Sequence, residues 1–243
     1  MLIHTGTART VSVDLRLAAS LSLLAGAINA AGFRSLGLFS GNMTGNVSAL
    51  SDHLVLGNMR LAFWAVSLVI AFISGAFASA LLIEVGRRRG ISGIYAYSIL
   101  AEAGLLALIA LADMSLPTIH SDPLVLVGVA FVMGLQNAAT TRISDARVRT
   151  THVTGISTDI GVELAILMGN ARSQSGRGVV RDRLVLHLAT LVAFLVGGIG
   201  GVLIYGWTGA GLFLLIALAL TAIALPEARR ARSAGREPKS REI

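Results

Sequence analysis

The sequence predicts an all-α membrane protein with six transmembrane helices, arranged as two inverted three-helix repeats with interrupted or re-entrant polar segments. Three observations predict this class. The composition is 54% hydrophobic and 14% charged, whereas charged residues make up about a quarter of an ordinary soluble domain. Six apolar stretches approach the roughly 20 residues that a membrane-spanning helix needs. A set of short motifs also occurs twice along the chain.

The six spans are predicted in order along the chain, with a short segment before them and a basic tail after them. A signal peptide cleaved near Ala27 to Ala31 is the alternative for the first span, but cleavage there would destroy one copy of the repeated motif. Residues 1–14 form the N-terminal segment, and residues 226–243 form the tail, which is expected to be disordered. The spans lie at residues 15–33, 61–83, 92–112, 123–141, 184–205 and 207–225.

The segment between the first two spans is apolar enough to resemble a seventh span. A crossing at residues 36–56 would move Arg87 to Arg89 to the side that is poor in basic residues, against the expected charge bias. Residues 34–56 are therefore predicted to stay outside, or to dip into the membrane and return.

The basic residues fall almost wholly on one side of the predicted membrane. With six spans, 18 of the 20 lysines and arginines share the side of both termini, and only Arg34 and Arg60 lie opposite. The positive-inside rule therefore places both termini in the cytoplasm. A net charge of +7 is also typical of nucleic-acid-binding proteins, but a basic tail beside the membrane favours anionic lipid as its partner. The chain has no cysteine, which excludes disulfides and thiolate metal sites.

The duplicated motif is G-x-x-N-A, followed by a polar stretch and a Thr-Gly pair. It occurs at Gly26 to Ala30 with Asn42 to Ser48, and again at Gly134 to Ala138 with His152 to Thr158. The first part shifts by 108 positions between the copies and the second by 110. Each repeat, about residues 15–112 and about 123–225, holds three spans, so the second enters from the opposite side. An odd number of spans predicts a two-fold axis in the membrane plane, with the functional site near the midplane.

The duplication marks polar residues in apolar surroundings. Asn29 and Asn137 lie within or at the end of spans one and four, where an amide needs partners that lipid cannot supply. They are predicted either to bind a polar solute or to hydrogen-bond helices together, and the sequence leaves both open. Thr44, Asn46 and Thr154 suit the start of a short half-helix whose N-terminal amides face an anion or polar group. A simple N-cap and turn is the alternative.

Glu102 is the one acidic residue near the middle of a predicted span. The equivalent region of the sixth span, Leu212 to Ala217, is apolar. A charged carboxylate at this depth costs about 2.5–3.5 kcal/mol on insertion scales, so the side chain should face the bundle interior, near a residue of the repeated motif. A proton carrier or a cation ligand is the functional interpretation, and a protonated or paired structural carboxyl is the alternative. Glu102 completes a predicted substrate-binding set with Asn29, Thr44, Asn46, Asn137 and Thr154.

Two further groups are given structural roles. Gly75 with Ser79 and Gly197 with Gly201 are small-xxx-small pairs at matching positions, which predict close helix crossings between the two halves.

Asp159 and Glu163 stand four residues apart, on one face of a predicted helix. No His-rich ligand set accompanies them, so they are expected to pair with arginines such as Arg142, Arg147 or Arg149 and not to bind a metal. His187 near the start of span five is expected to lie at the membrane interface, with a role as a partner of Glu102 as the alternative.

These motifs together resemble the YoaK-like family of bacterial membrane proteins, an integral-membrane domain of unknown function. The resemblance covers about residues 15–225 and implies a six-helix inner-membrane protein without assigned activity or catalytic residues. It rests on Gly26 to Ala30 with Gly32-Phe33, on Met43 to Asn46, and on Gly134 to Ala138 with Thr150 to Gly155.

The functional prediction is a small-solute or ion transporter, or a channel-like carrier, with a polar site near the membrane midplane. A non-transporting scaffold or sensor, in which the same residues only lock helices together, is the alternative. No nucleophile elbow, zinc motif, phosphate loop or paired-His set indicates an enzyme, and no cofactor or metal is predicted. The expected partners are the lipid bilayer and an unidentified small solute or ion, not nucleic acid. Assembly of several copies of the chain stays open.

Overall fold

A computed structural model describes residues 2, 10–115, 121–169 and 174–234 of the chain. Within these residues the secondary structure is helical and contains no strand. The helices are α1 (Val11–Leu36), α2 (Met43–Val55), α3 (Met59–Arg88), α4 (Ile94–Ser115), α5 (Ser121–Ile143), α6 (Val153–Met168), α7 (Gln174–Thr208) and α8 (Gly211–Ala234).

Six of these helices are long and apolar enough to cross a membrane, namely α1, α3, α4, α5, α7 and α8. They coincide with the six predicted spans and indicate a multi-pass membrane protein. The other two, α2 and α6, have 13 and 16 residues, and a rise of 1.5 Å per residue makes them about 20 and 24 Å long. A hydrocarbon core of about 30 Å exceeds both lengths. Residues 36–56 therefore do not form a seventh spanning helix.

Local sequence signals define the ends of the helices around the first short helix. Gly37 ends α1 in the left-handed conformation, at φ 68°, and its N–H binds the carbonyl of Phe33. Only glycine adopts this conformation readily, so the chain turns here. Asn42 and Asn58 begin α2 and α3, since their side chains accept hydrogen bonds from the backbone N–H groups of Gly45 and Leu61. These are N-caps of the type preferred at helix starts.

The first and last helices extend beyond the predicted spans. α8 continues to Ala234, into the segment predicted to be a disordered tail, because Ala228 and Ala231 remain buried and Ala231 lies against Gly93 at the start of α4. α1 begins at Val11. Residues 1, 3–9 and 235–243 of the predicted terminal segments, and residues 116–120 of the predicted loop between spans three and four, lie outside the described residues.

The helices pack mainly in pairs that join the first half of the chain to the second. The most extensive pairs are α1 with α7, α3 with α5, and α4 with α8, while each short helix lies beside the long helix that follows it, α2 on α3 and α6 on α7. Helices α3 and α7 expose large apolar side chains such as Ile70, Phe77, Leu195 and Ile199. A helix with an exposed apolar face suits a position next to lipid.

Glycines make the closest crossings between the halves. A side chain at Gly26 would meet the backbone of Phe194, and one at Gly197 would meet Leu23, where α1 crosses α7. The crossing of α3 and α5 repeats this contact with Gly134 against Phe72 and Gly75 against Phe131. The predicted crossings at Gly75 and Gly197 are confirmed. Gly201 also lies against the backbone of Ala27, whereas Ser79 hydrogen-bonds Ser98 of α4 over 3.1 Å.

Candidate functional site

A cavity of about 740 Å³ lies between the two halves of the chain. Both copies of the repeated motif line it, and so do the residues at the start of α2 and α6. The first half contributes Asn29, Phe39, Gly41, Asn42, Met43, Thr44 and Phe72, and the second contributes Asn137, Thr141, Arg149, Thr151, His152, Val153, Thr154, Gly155 and Phe194.

Asn29 holds the segment that leads into α2. Its side chain is 8% exposed, and its Oδ1 accepts a hydrogen bond of 2.8 Å from the backbone N–H of Gly41. Gly41 is also close to the side chain of Thr151, from the other half of the chain. Asn29 therefore fixes one part of the cavity wall to α1 while remaining part of that wall.

Asn137 has the corresponding role in the second half of the chain. Its amide donates hydrogen bonds to Thr151 Oγ1 at 2.7 Å and to the carbonyl of Met133 at 3.1 Å. Thr151 occupies the motif position of Gly41. Both asparagines therefore fasten the residue that precedes a short helix, so they contribute to structure as well as lining the cavity.

The first turns of α2 and α6 adjoin the cavity through their cap residues and threonines. Asn42 caps α2 by accepting a hydrogen bond of 3.0 Å from Gly45 N–H. His152, at the corresponding position, makes no side-chain cap, and its ring lies over Gly155. A helix N-terminus carries partial positive charge from its unpaired N–H groups. Two such ends therefore face the same cavity, with Thr44 and Thr154 in their first turns.

The described part of the cavity wall carries a positive charge and no negative one. Arg149 supplies a guanidinium and His152 an imidazole, and no aspartate or glutamate belongs to the described lining. The guanidinium of Arg149 has no hydrogen bond or ion pair with any residue that the structure describes. Phe39, Phe72 and Phe194 supply an apolar part of the wall. The cavity thus combines positive charge, polar groups and aromatic surface.

Asn46 lies outside the lining, although it belongs to the predicted site. It is buried, and its amide donates a hydrogen bond of 2.7 Å to the carbonyl of Phe39. The side chain faces the segment before α2 and not the cavity. Of the predicted site residues, Asn29, Thr44, Asn137 and Thr154 share the cavity, whereas Asn46 and Glu102 do not line it.

Glu102 is fully buried in α4 and contacts a residue of the repeated motif, as predicted. Its Oε1 accepts a hydrogen bond of 2.9 Å from Gln136 Nε2, and its Oε2 has no partner within the described part of the chain. Gln136 Oε1 accepts the hydroxyl of Thr150 at 3.2 Å. Thr150 Oγ1 is also 3.4 Å from Asn137 Oδ1 on the cavity wall. A continuous chain of polar groups therefore joins Glu102 to the cavity.

Gln136, Thr150 and Arg149 were not predicted as site residues from the sequence. In the first copy of the motif, Ile28 stands at the position of Gln136 and Ser40 at that of Thr150. Comparison of the copies favours shared residues, so it overlooks those in only one copy. Arg149 counted toward membrane topology and as an expected partner of Asp159 or Glu163. The available signal was Gln136 itself, a glutamine that directly precedes the motif asparagine in an apolar span.

The predicted pairing of Glu163 with an arginine is wrong. Glu163 Oε2 lies 3.1 Å from His187 Nδ1, which joins α6 to α7. The arginines reach acids on other helices: Arg142 pairs with Glu84 on α3 at 3.1 Å, and Arg147 pairs with Asp14 on α1 at 3.2 Å.

Asp159 lines a smaller cavity of about 140 Å³ beside the main one, together with Arg147 and Arg149. No group of three or more potential metal ligands occurs among the residues that the structure describes.

A family model described as "Protein of unknown function (DUF1275)" matches residues 17–225 of the chain. No curated protein and no solved structure matches the chain. YoaK-like proteins are members of the matched family, so the resemblance predicted from the motifs is confirmed.

Proposed function

The chain belongs to the DUF1275 family, whose description assigns no activity, and from its cavity we propose that it is a membrane carrier for a small anionic solute. One observation carries this proposal: a single cavity is lined by corresponding residues of both halves. Asn29 and Asn137, Thr44 and Thr154, and Phe72 and Phe194 form such pairs. Carriers built from inverted repeats bind their substrates at this kind of place, between the repeats.

We further propose that the two halves are inverted repeats, with α1 to α4 corresponding to α5 to α8. The contact pattern supports this relation, because exchanging the halves converts the α1–α7 crossing into the α5–α3 crossing. The glycine contacts exchange in the same way: Gly26 on Phe194 becomes Gly134 on Phe72. Three spans per half then require opposite orientations in the membrane.

The two short helices fit a re-entrant role in such a carrier. The distribution of basic residues assigns α2 to the outer side and α6 to the cytoplasmic side. Their first turns nevertheless adjoin the same cavity. Helices that begin at a shared central site and end on opposite sides would be two half-helices, one toward each surface, and both are too short to span the membrane alone.

The electrostatics of the cavity favour an anion. Arg149 provides a positive charge, the described lining lacks a carboxylate, and both helix N-termini add partial positive charge. The volume of about 740 Å³ falls in the range of roughly 300–1,000 Å³ typical of small-molecule sites. Three phenylalanines in the lining suit the carbon portion of an organic anion.

A non-transporting scaffold is the second candidate, and one specific observation favours it. Asn29 and Asn137 both form hydrogen bonds with neighbouring protein groups, namely Gly41 and Thr151. In a scaffold the cavity would be a gap left by this packing, and no solute would stabilise the protein.

Ligand-induced stabilisation of the purified protein tests the proposal. Small mono- and dicarboxylates and inorganic anions are compared with neutral amides of the same carbon skeleton, and melting temperatures are measured in detergent. A bound anion at 100 times its Kd should stabilise the folded protein by about 2.7 kcal/mol. Arg149→Gln should weaken that anion about ten- to a hundredfold, because a charge-assisted hydrogen bond contributes about 1.5–3 kcal/mol.

Arg60→Gln is the matched control, since Arg60 is exposed on α3 and absent from the lining. It should keep the anion response of the unaltered protein. Equal stabilisation in the Arg149 and Arg60 variants would contradict binding in this cavity. A response to cations or amides instead of anions would contradict the substrate class, and no response to any solute would favour the scaffold.

A further inference from the structure

The polar chain between Glu102 and the cavity belongs to one half of the molecule only. Ile28 and Ser40 stand at the motif positions of Gln136 and Thr150. Isoleucine cannot hydrogen-bond, and the buried Ser40 Oγ has no partner among the described residues. Helix packing common to both halves therefore does not require this chain. Its presence calls for an explanation beyond the duplicated architecture.

Each member of the chain can reverse its hydrogen bonds. The Gln136 amide carries a donor and an acceptor, and the Thr150 hydroxyl is both. In the structure Gln136 donates to Glu102 Oε1 and accepts from Thr150. The single Thr150 proton has two acceptors within reach, Gln136 Oε1 at 3.2 Å and Asn137 Oδ1 at 3.4 Å. The hydroxyl can donate a well-aligned hydrogen bond to only one of these two oxygens at a time.

A proton on Glu102 selects between these acceptors. An ionised carboxylate accepts only, so it holds the Gln136 NH₂ and leaves the Gln136 carbonyl to Thr150. A protonated carboxyl donates to the Gln136 carbonyl, provided that the amide turns over. The Gln136 NH₂ then donates to the Thr150 oxygen, and the Thr150 hydroxyl donates its hydrogen bond to Asn137 Oδ1 instead. Protonation of Glu102 in α4 would thus change the hydrogen bonds of Asn137 at the cavity wall.

The surroundings of Glu102 fit a proton better than a metal ion. Among the described side chains no second carboxylate or histidine contacts it, and no group of three potential ligands occurs in the described parts of the chain. The helices packed against α4 are α3, α5 and α8. Of their described side chains, Gln136 of α5 acts on the carboxyl. The described charged residues of these helices do not act on it: Arg60, Glu84, Arg87, Arg88, Arg142, Glu227, Arg229, Arg230 and Arg232.

We propose that Glu102 is a proton-binding site, and that Gln136 and Thr150 transmit its protonation to Asn137 in the cavity. Coupling of a proton to the solute rests on the carrier function proposed above, whereas the transmission itself does not. Because proton and solute would act on the same wall, each would alter the affinity for the other by the same factor. Gln136 and Thr150 are positioning residues in this scheme, and Glu102 is the titrating group.

The transmission can be measured without any solute. The chain has no cysteine, so Thr44→Cys allows one environment-sensitive fluorophore to be placed at the cavity. His152→Asn, which copies the residue at the corresponding position 42, removes the titratable side chain from the lining. In this background, infrared difference spectra between acid and alkaline pH report Glu102 protonation through the carboxylic-acid carbonyl band. Fluorescence over the same pH range reports the cavity.

We expect an infrared band and a fluorescence change with the same midpoint, both lost in Glu102→Gln. Thr150→Val, which removes the hydroxyl but keeps the shape, should retain the band and lose the fluorescence change, and Thr150→Ser should restore it. Ser40→Ala, the matched control from the other half, should keep both signals. Gln136→Met carries the same expectation as Thr150→Val and replaces it if that variant does not fold.

Two results would overturn the proposal. One is the absence of a Glu102 band over the whole pH range in which the protein stays folded. The other is a fluorescence change that persists in Glu102→Gln or Thr150→Val. Failure of the carrier proposal is a separate result, because it appears only as the absence of stabilisation by added solutes.

Discussion

Four glycines are the points where helices from different halves touch most closely. Gly26 and Gly197 lie in the α1–α7 crossing, and Gly75 and Gly134 in the α3–α5 crossing. At each of them a Cβ would run into the backbone of the partner helix, and not into a flexible side chain. Backbone cannot move aside as a rotamer can, so separation of the helices is the only relief. Small residues promote helix association in membranes for this reason.

Gly197→Ala should therefore destabilise the protein, whereas Gly200→Ala should not. Both glycines lie in α7, but a Cβ at Gly200 has no neighbouring atom within 4 Å. Overpacking typically costs about 1–3 kcal/mol, which should appear as a lower melting temperature and a reduced yield of monodisperse protein in detergent. Equal melting temperatures for the two variants would contradict a crossing at Gly197.

Residues that the duplication repeats could be predicted from the sequence, and Glu102 could be predicted from its position in an apolar span, but the other residues that break the duplication could not. Gly75 and Gly197 were identifiable because small residues recur at matching positions, and Asn29 and Asn137 because amides recur within apolar helices. The pairing of Glu163 with His187 could not be predicted, because it depends on the packing of α6 against α7. The arginines near Glu163 in sequence reach acids on α1 and α3 instead.

At the scale of the elements, the two short helices are attached to the molecule by different means. α2 is joined to its preceding segment through Asn46, which binds the carbonyl of Phe39. α6 is joined to α7 through Glu163 and His187, whose side chains are largely buried. The position of Glu163 corresponds to His53 in α2, so this polar link exists in one half only.

Glu163→Ala should loosen α6 selectively. A hydrogen bond to a charged group contributes about 1.5–3 kcal/mol, so amide hydrogen exchange in α6 should quicken about tenfold or more, while exchange in α1 and α5 stays unchanged. Asp159→Ala is the control, because Asp159 lies one turn away on the same helix and makes no hydrogen bond or ion pair with a described residue. Identical α6 exchange in both variants would show that the Glu163–His187 pair does not hold the helix.

At the scale of the whole molecule, six helices that each cross the membrane would leave both ends of the chain on one side of it. The number of spans could be read from hydropathy, and the orientation was predicted from the 18-to-2 division of basic residues. The pairing of helices could not be predicted, since apolar helix faces are alike in composition. It is visible in the structure, where the paired helices join residues far apart in sequence.

Single cysteines test the orientation directly, because the chain has none of its own. Ser115 ends α4 and Ser233 lies near the end of α8, and both are exposed. A membrane-impermeant thiol reagent added to intact cells should label Ser115→Cys and not Ser233→Cys, and permeabilised cells should show both. The reverse pattern in intact cells would place the termini outside and reverse the assignments of α2 and α6.

The most extensive helix pairs join the first half of the chain to the second, so the protein can assemble only late in its synthesis. Gly26 meets Phe194, which the ribosome adds about 170 residues later. At roughly 5–20 residues per second, that interval is on the order of ten to thirty seconds. Until α7 is inserted, the surface of α1 around Gly26 has lipid or an insertion factor as its neighbour. The first helix of this protein therefore waits longer for its partner than the first helix of a bundle whose consecutive helices pair.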